Sequence, residues 1–164
     1  MVWTLASCQR KPAPPAVPTP SRPPETAGVA VTLYFLQPGE GEGDDMLKGE
    51  VRHLPDQRPM TLLQALLEGP HSEALLPLLP AGTKVRLVRR EGERLIVDFS
   101  KEFQDFTAGS TFAFLAVYSV VNTLTELSGV EEVQIIIEGR PVSDFAGTVD
   151  LTQPLKRDMT LVAE

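Results

Sequence analysis

Apolar positions along this chain gather into patterned blocks separated by glycine, proline and charged residues. The first, Val29-Ala30-Val31-Thr32-Leu33-Tyr34-Phe35-Leu36, is rich in β-branched and aromatic residues and predicts a strand. An acidic, glycine-rich stretch follows over 38–45, after which residues 50–54 predict a second strand that pairs back on the first. Leu62, Leu63, Leu66 and Leu67 recur at helical spacing, with Thr61 as N-cap and Gly69-Pro70 as the stop, so a first helix is expected over 62–68. Leu75, Leu76, Leu78 and Leu79, broken by Pro77 and closed by Pro80 and Gly82, predict an irregular apolar turn folded under that helix.

A hairpin is expected over 84–99. Val85, Leu87 and Arg89 alternate with Lys84, Arg86, Val88 and Arg90, and Glu91-Gly92-Glu93 turns the chain into Leu95-Ile96-Val97-Asp98-Phe99. Residues 110–127 form the longest element, a helix with Phe114, Val117, Tyr118, Val121 and Leu124 on one stripe, widened by Leu115, Val120 and Leu127. Such a stripe predicts a largely buried helix, ended by Gly129. Residues 131–138 hold three consecutive isoleucines and predict a central strand, and residues 140–164 read as loop with short extended pieces. The order β-β-α-β-β-α-β predicts an α+β fold, with a single β-sheet carrying both helices packed on one face. Within it, the α-β-β-α-β stretch 61–138 has the element order of the ring-building motif of bacterial envelope assemblies, which makes the expected core ring-building-motif-like.

Ahead of this folded part the composition changes. Residues 12–24 hold seven of the chain's 15 prolines, a density that favours extended polyproline II, and at about 3.1 Å per residue such a stalk spans roughly 40 Å. Leu5-Ala6-Ser7-Cys8, just before it, resembles the lipobox of bacterial lipoproteins, in which the cysteine thiol takes the lipid. Only seven residues precede Cys8 and none is basic, so 1–8 reads as the remnant of a lipoprotein signal whose start lies upstream. The expected organisation is therefore signal remnant over 1–8, proline-rich linker over 9–28 and folded domain over 29–164. Lipid on Cys8 implies an extracytoplasmic protein anchored to the membrane.

Charge narrows the partners. The chain carries -7, with 15 basic against 22 acidic residues, which excludes the cationic footprint of a nucleic-acid binder. Residues 1–28 carry three basic side chains and one acidic, a balance of +2, so -9 falls on the folded part. Against that field the hairpin concentrates Arg86, Arg89, Arg90 and Arg94, a candidate interface for an acidic protein patch, for head-to-tail contact with a second copy, or for an anionic wall polymer. The competing reading is a charged edge that guards the sheet against unwanted pairing.

The junctions between these elements carry five segments in order: Ala65-Leu66-Leu67-Glu68-Gly69-Pro70, Leu79-Pro80-Ala81-Gly82-Thr83-Lys84-Val85, Val97-Asp98-Phe99-Ser100-Lys101-Glu102-Phe103, the stretch 118–127 around Asn122 and Thr123, and 133–139. Together they resemble the GerMN domain of sporulation and spore-germination proteins. The resemblance implies a non-catalytic module at the bacterial envelope whose partners are envelope or sporulation proteins, or peptidoglycan. Asp98 and Ser100 are expected to bond free backbone amides where the strand ends, and Asn122 and Thr123, polar in an apolar helix, to bond a neighbouring loop or to face another subunit.

Motifs for catalysis are sparse. Cys8 is the only cysteine, and His53 and His71 stand apart without metal-ligand spacing, so no zinc site and no cofactor is expected. Glu40, Glu42, Asp44 and Asp45 lack the spacing of a calcium loop. Asp98 and Glu102 are the one carboxylate pair that a small cell-wall hydrolase would employ, and that enzyme, or an accessory subunit of one, is the alternative to the binding module.

Overall fold

The computed structural model describes residues 28–41, 43–107 and 109–164. Cys8 and the proline-rich stretch 12–24 lie outside the described residues. The first apolar block forms β1 (Val29–Gln37), paired antiparallel with β2 (Met46–Leu54), so that Leu33 faces Glu50 and Tyr34 faces Gly49. β1 is buried on both sides over its second half. Leu33 and Phe35 enter the main core, while Tyr34 and Leu36 enter a smaller one with Leu47, Leu78, Leu115 and Ala116. A strand covered on both faces needs a continuous apolar run, and this one has it.

Both helices depart from their expected ends. α1 (Pro59–Glu68) begins upstream of Thr61, because Pro59 brings a φ already suited to the first helical turn. Thr61 is therefore not the N-cap. It sits inside the first turn and donates its hydroxyl to Asp56 Oδ1 at 2.6 Å. α2 (Ser110–Leu124) stops before Leu127, because Thr125 turns its hydroxyl back onto the carbonyls of Val121 and Asn122 at 2.9 and 3.1 Å, and tighter turn bonds follow to Gly129. Gly129 there has a φ of 71°, a value that favours glycine.

The α+β class with two helices stands, but the single sheet does not. β3 (Val85–Glu91), β4 (Arg94–Phe99), β5 (Glu132–Ile137) and a short β6 (Leu155–Lys156) form one four-stranded sheet in that order, with β4 and β5 parallel. β1 and β2 form a separate two-stranded sheet. The reason lies at Tyr34, whose backbone points away from β2. Its N–H is taken by Thr123 Oγ1 at 3.1 Å, and its carbonyl accepts from Ser119 Oγ at 2.5 Å. Two side chains one turn apart on α2 thus occupy the edge that another strand would need.

The inward face of the four-stranded sheet pairs Leu95 with Val133, Val97 with Ile135 and Phe99 with Ile137, all buried with Leu62, Leu63 and Leu66 of α1 and Val117, Val121 and Leu124 of α2. β5 is central, as its isoleucines suggested. The segment expected to be mostly loop adds β6 and sends Phe145, Val149 and Leu151 into the same core. Tyr118, placed on the apolar stripe, is only half-buried and tilts against Phe114 with ring centroids 4.9 Å apart.

Candidate functional site

The β3–β4 hairpin does not keep the strict alternation its sequence suggests. A bulge lies between Val85 and Leu87, so Val85 pairs with Phe99 while Leu87 pairs with Asp98 and Val88 with Val97. The expected face of Lys84, Arg86, Val88 and Arg90 is therefore divided. Arg86 points with Leu87 and Arg89 to the outer face, whereas Val88 and Arg90 share the inward side with Leu95.

Three of the four arginines have carboxylate partners. Arg86 Nη1 lies 3.4 Å from Asp98 Oδ2 and 3.5 Å from Glu138 Oε2, Arg89 is 2.8 Å from Glu91, and Arg94 is 2.7 Å from Glu132. Arg90 differs. Its guanidinium donates only to main-chain carbonyls, from Nε to Gly92 at 2.9 Å and from Nη2 to Gly129 at 2.8 Å and Ser128 at 3.3 Å.

Arg90 lines a groove of about 520 Å³ between the start of α1, the β3–β4 hairpin and the turn after α2. Pro59, Met60, Val88 and Leu127 are its half-buried walls and Leu95 its buried floor, with Gln57, Arg58 and Ser128 at the rim. Arg58 forms an exposed fork to Asp56, whose carboxyl is held far below its usual range by the Arg58 guanidinium and the Thr61 hydroxyl. Sequence periodicity passed over this groove because its walls come from three separated segments.

The other sequence candidates have architectural surroundings. Asp98 is buried and takes the N–H of Gly139 on Oδ1 at 3.0 Å, and Ser100 Oγ takes the N–H of Lys84 at 3.0 Å, so both bond backbone amides near the end of β4 as expected. Glu102 is half-buried, and its carboxyl is held below the ordinary value first by the Ser100 hydroxyl and also by Lys101 and Lys84. A general acid needs the opposite shift. His53 and His71 are both exposed, and among the described residues no cluster of three or more histidine, cysteine or acidic side chains is arranged to hold a metal ion. Asn122 bonds a loop in both directions, giving Nδ2–H to the Asp158 carbonyl at 2.8 Å and accepting the Asp158 N–H at 3.0 Å.

Two polar clusters had no signal in the sequence pattern. Arg52 is buried beneath α1, donating to the carbonyls of Ala65 at 3.3 Å and Gly69 at 2.5 Å, pairing with Glu50 at 2.6 Å and lying 5.2 Å from the centre of the Phe35 ring. Tyr34, Glu126 and Arg157 meet at the far end of α2, with the Tyr34 hydroxyl 2.8 Å from Glu126 and 2.6 Å from Arg157. Arg52 reaches carbonyls 13 and 17 positions along the chain and Tyr34 meets partners 92 and 123 positions away, distances that local periodicity does not encode.

A family model described as "Germane: Sporulation and spore germination" matches residues 32–143, more than half of the chain. The chain belongs to the Germane family. Its fold is similar to the tandem GerMN domains of the sporulation protein GerM from Bacillus subtilis, with a TM-score of 0.68 and 20% identity over 89% of this chain and 51% of that one. It thus spans about half the length of that tandem structure. The first GerMN domain of the same protein matches with a TM-score of 0.65 and 25% identity, over 79% of this chain and 98% of that domain. None of the curated proteins matches. Within this Germane domain Asp98, Ser100, Asn122 and Thr123 each bond the main chain of another part of the fold, whereas the buried Thr83 hydroxyl has no partner among the described residues.

Proposed function

We propose that this Germane-family chain is a non-catalytic binding module held at the bacterial envelope by lipid on Cys8, acting in spore formation, germination or envelope assembly through contact with other proteins there. Family membership supports the sporulation setting. The observation that carries the binding reading is the engagement of Asp98, Ser100, Asn122 and Thr123 with main chain. These four polar side chains serve the fold, and what opens to solvent is an apolar groove with a fixed cation. Similarity to one unit of a tandem supports a repeatable module.

The alternative of a small wall hydrolase leans on Asp98 and Glu102. Asp98 is engaged by the Gly139 N–H and lies beside Arg86, and the Glu102 carboxyl is held below its ordinary value, the opposite of what a general acid needs. Purified chain incubated with peptidoglycan is expected to release no soluble muropeptides. Release that disappears in Asp98→Asn or Glu102→Gln, in variants that still melt cooperatively, would replace the binding module with the hydrolase.

A further inference from the structure

Resting on the binding-module reading, we propose that the groove between α1, the β3–β4 hairpin and the turn after α2 docks an apolar segment of a partner protein that bears a carboxylate, with Arg90 as its counter-charge.

Charge is the first argument. The chain has 22 acidic side chains against 15 basic ones, yet no acidic residue lines this groove and two arginines do. Arg58 already has Asp56, and Arg86, Arg89 and Arg94 each have a glutamate or aspartate. Arg90 has three neutral carbonyls, and its Nη1 has no acceptor among the described residues. A guanidinium fixed on one side by carbonyls and open on the other is organised in advance for a carboxylate, and little rotamer freedom remains to be lost when one binds.

Gly129 is the second argument. A Cβ there would come within 2.8 Å of Arg90 Nη2, so the glycine that the φ of 71° already favours also leaves room for the guanidinium against its carbonyls. Shape is the third. The groove's volume of about 520 Å³ falls within the roughly 300 to 1,000 Å³ of ligand clefts, and its walls are Pro59, Met60, Val88 and Leu127. It is open along its length and floored by Leu95, a form that suits side chains presented from a neighbouring surface.

The test uses the full chain and two fluorescein-labelled peptides that share four leucines and differ only in ending with two glutamates or two glutamines. Fluorescence anisotropy is expected to show the acidic peptide binding about tenfold more tightly at low salt, with the gap closing as salt rises. Arg90→Gln should bring the acidic peptide down to the level of its neutral twin, Arg90→Lys should recover part of the gap, and Leu127→Asp should weaken both. A melting curve for each variant establishes that the fold is intact. Equal binding of the two peptides, an unchanged gap in Arg90→Gln, or no binding up to about 1 mM, a level worth only about 4 kcal/mol, overturns the proposal. Displacement of the peptide by sub-stoichiometric oleate would overturn the choice of a protein segment. Failure of the peptides with no muropeptide release removes the groove alone, whereas muropeptide release removes the reading on which it rests.

Discussion

Of the buried polar side chains, Arg52, Asp98, Ser100, Ser119, Asn122 and Thr123 hydrogen-bond main chain, while the Thr83 hydroxyl has no partner among the described residues. Asn122 is fully buried and satisfies both backbone groups of Asp158, so Asn122→Ala leaves a donor and an acceptor without partners, at about 1 to 3 kcal/mol each where water cannot reach. A clear drop in melting temperature is expected, comparable with that of Leu124→Ala, where loss of a buried leucine costs about 2 to 5 kcal/mol. An unchanged melting curve for Asn122→Ala would show that the loop around Asp158 contributes nothing to stability. That Asn122 needs a partner was legible in the sequence, since it lies in an apolar helix. That the partner is Asp158 was not, because the pair is 36 residues apart and no local period joins them. The two tyrosines give a second measurement at this scale. Burial raises the Tyr34 phenol, helped by the bond and charge of Glu126 and opposed by Arg157, and burial with the charge of Asp158 raises Tyr118. A raised phenol contributes stability that is fully present below the unfolded value of 10 and is lost as pH rises through the folded value. Absorbance at 295 nm should therefore show both phenols of the folded chain ionising above that pH, and both returning to it in urea; one phenol titrating normally in the folded chain would contradict the geometry.

Elements were legible where their own period decided them and misplaced where another element did. The seven blocks became five strands and two helices in the expected order, because burial of β1, β5 and α2 is written in their apolar runs. The hairpin alternation failed at one bulged residue, Arg86, which moved Arg90 to the other side of the sheet from Arg86 and so concealed the groove. The single sheet failed because Ser119 and Thr123 cover the edge of β1 at Tyr34, and in a sequence a serine and a threonine in an apolar helix look the same whether they bond their own turn or a strand. Changing both to Ala and Val is expected to uncover the N–H and carbonyl of Tyr34, lowering the melting temperature and raising the tendency to self-associate through that edge. Beneath α1, Arg52 is a cation at the helix C-terminus, where the dipole favours it, and Glu50 balances it. Burial pushes the Glu50 carboxyl up, but the N–H groups of Ser72 and His71 together with Arg52 outweigh it and hold the pKa below 4.5. A depressed carboxyl contributes stability present above its unfolded value and lost as pH falls through the folded one. The acid limb of the stability curve, below about pH 4.5, should flatten in Glu50→Gln; a limb of unchanged slope would place its origin elsewhere.

At the scale of the whole molecule, the charge of the folded part and the proposed anchor are linked. Residues 29–164 carry -9, offset to the chain's -7 by the +2 of residues 1–28, so the net charge of the domain opposes adsorption to anionic lipid headgroups. Among the described residues no helix is long and apolar enough to cross one. The proposed residence at the envelope would rest on covalent lipid: a single acyl chain holds only marginally while two or more hold firmly, which is what a diacylglyceryl group on Cys8 would supply. The proline-rich stretch after Cys8 adds the other half of the argument, since a domain of this charge gains from being held some distance from the lipid surface, beyond the roughly 8 Å over which that surface's field decays at physiological salt. Expressed behind a lipoprotein export signal, the chain is expected in the membrane fraction with diacylglycerol on Cys8 by mass spectrometry. Cys8→Ser should move it to the soluble extracytoplasmic fraction without changing its melting temperature, because Cys8 lies 21 residues ahead of β1. Washing with high salt should leave the parent in place, which separates a lipid tether from electrostatic adsorption. A free thiol on the parent protein, or a Cys8→Ser variant that still sediments with membranes, would end the anchoring proposal while leaving the groove and its peptide test untouched.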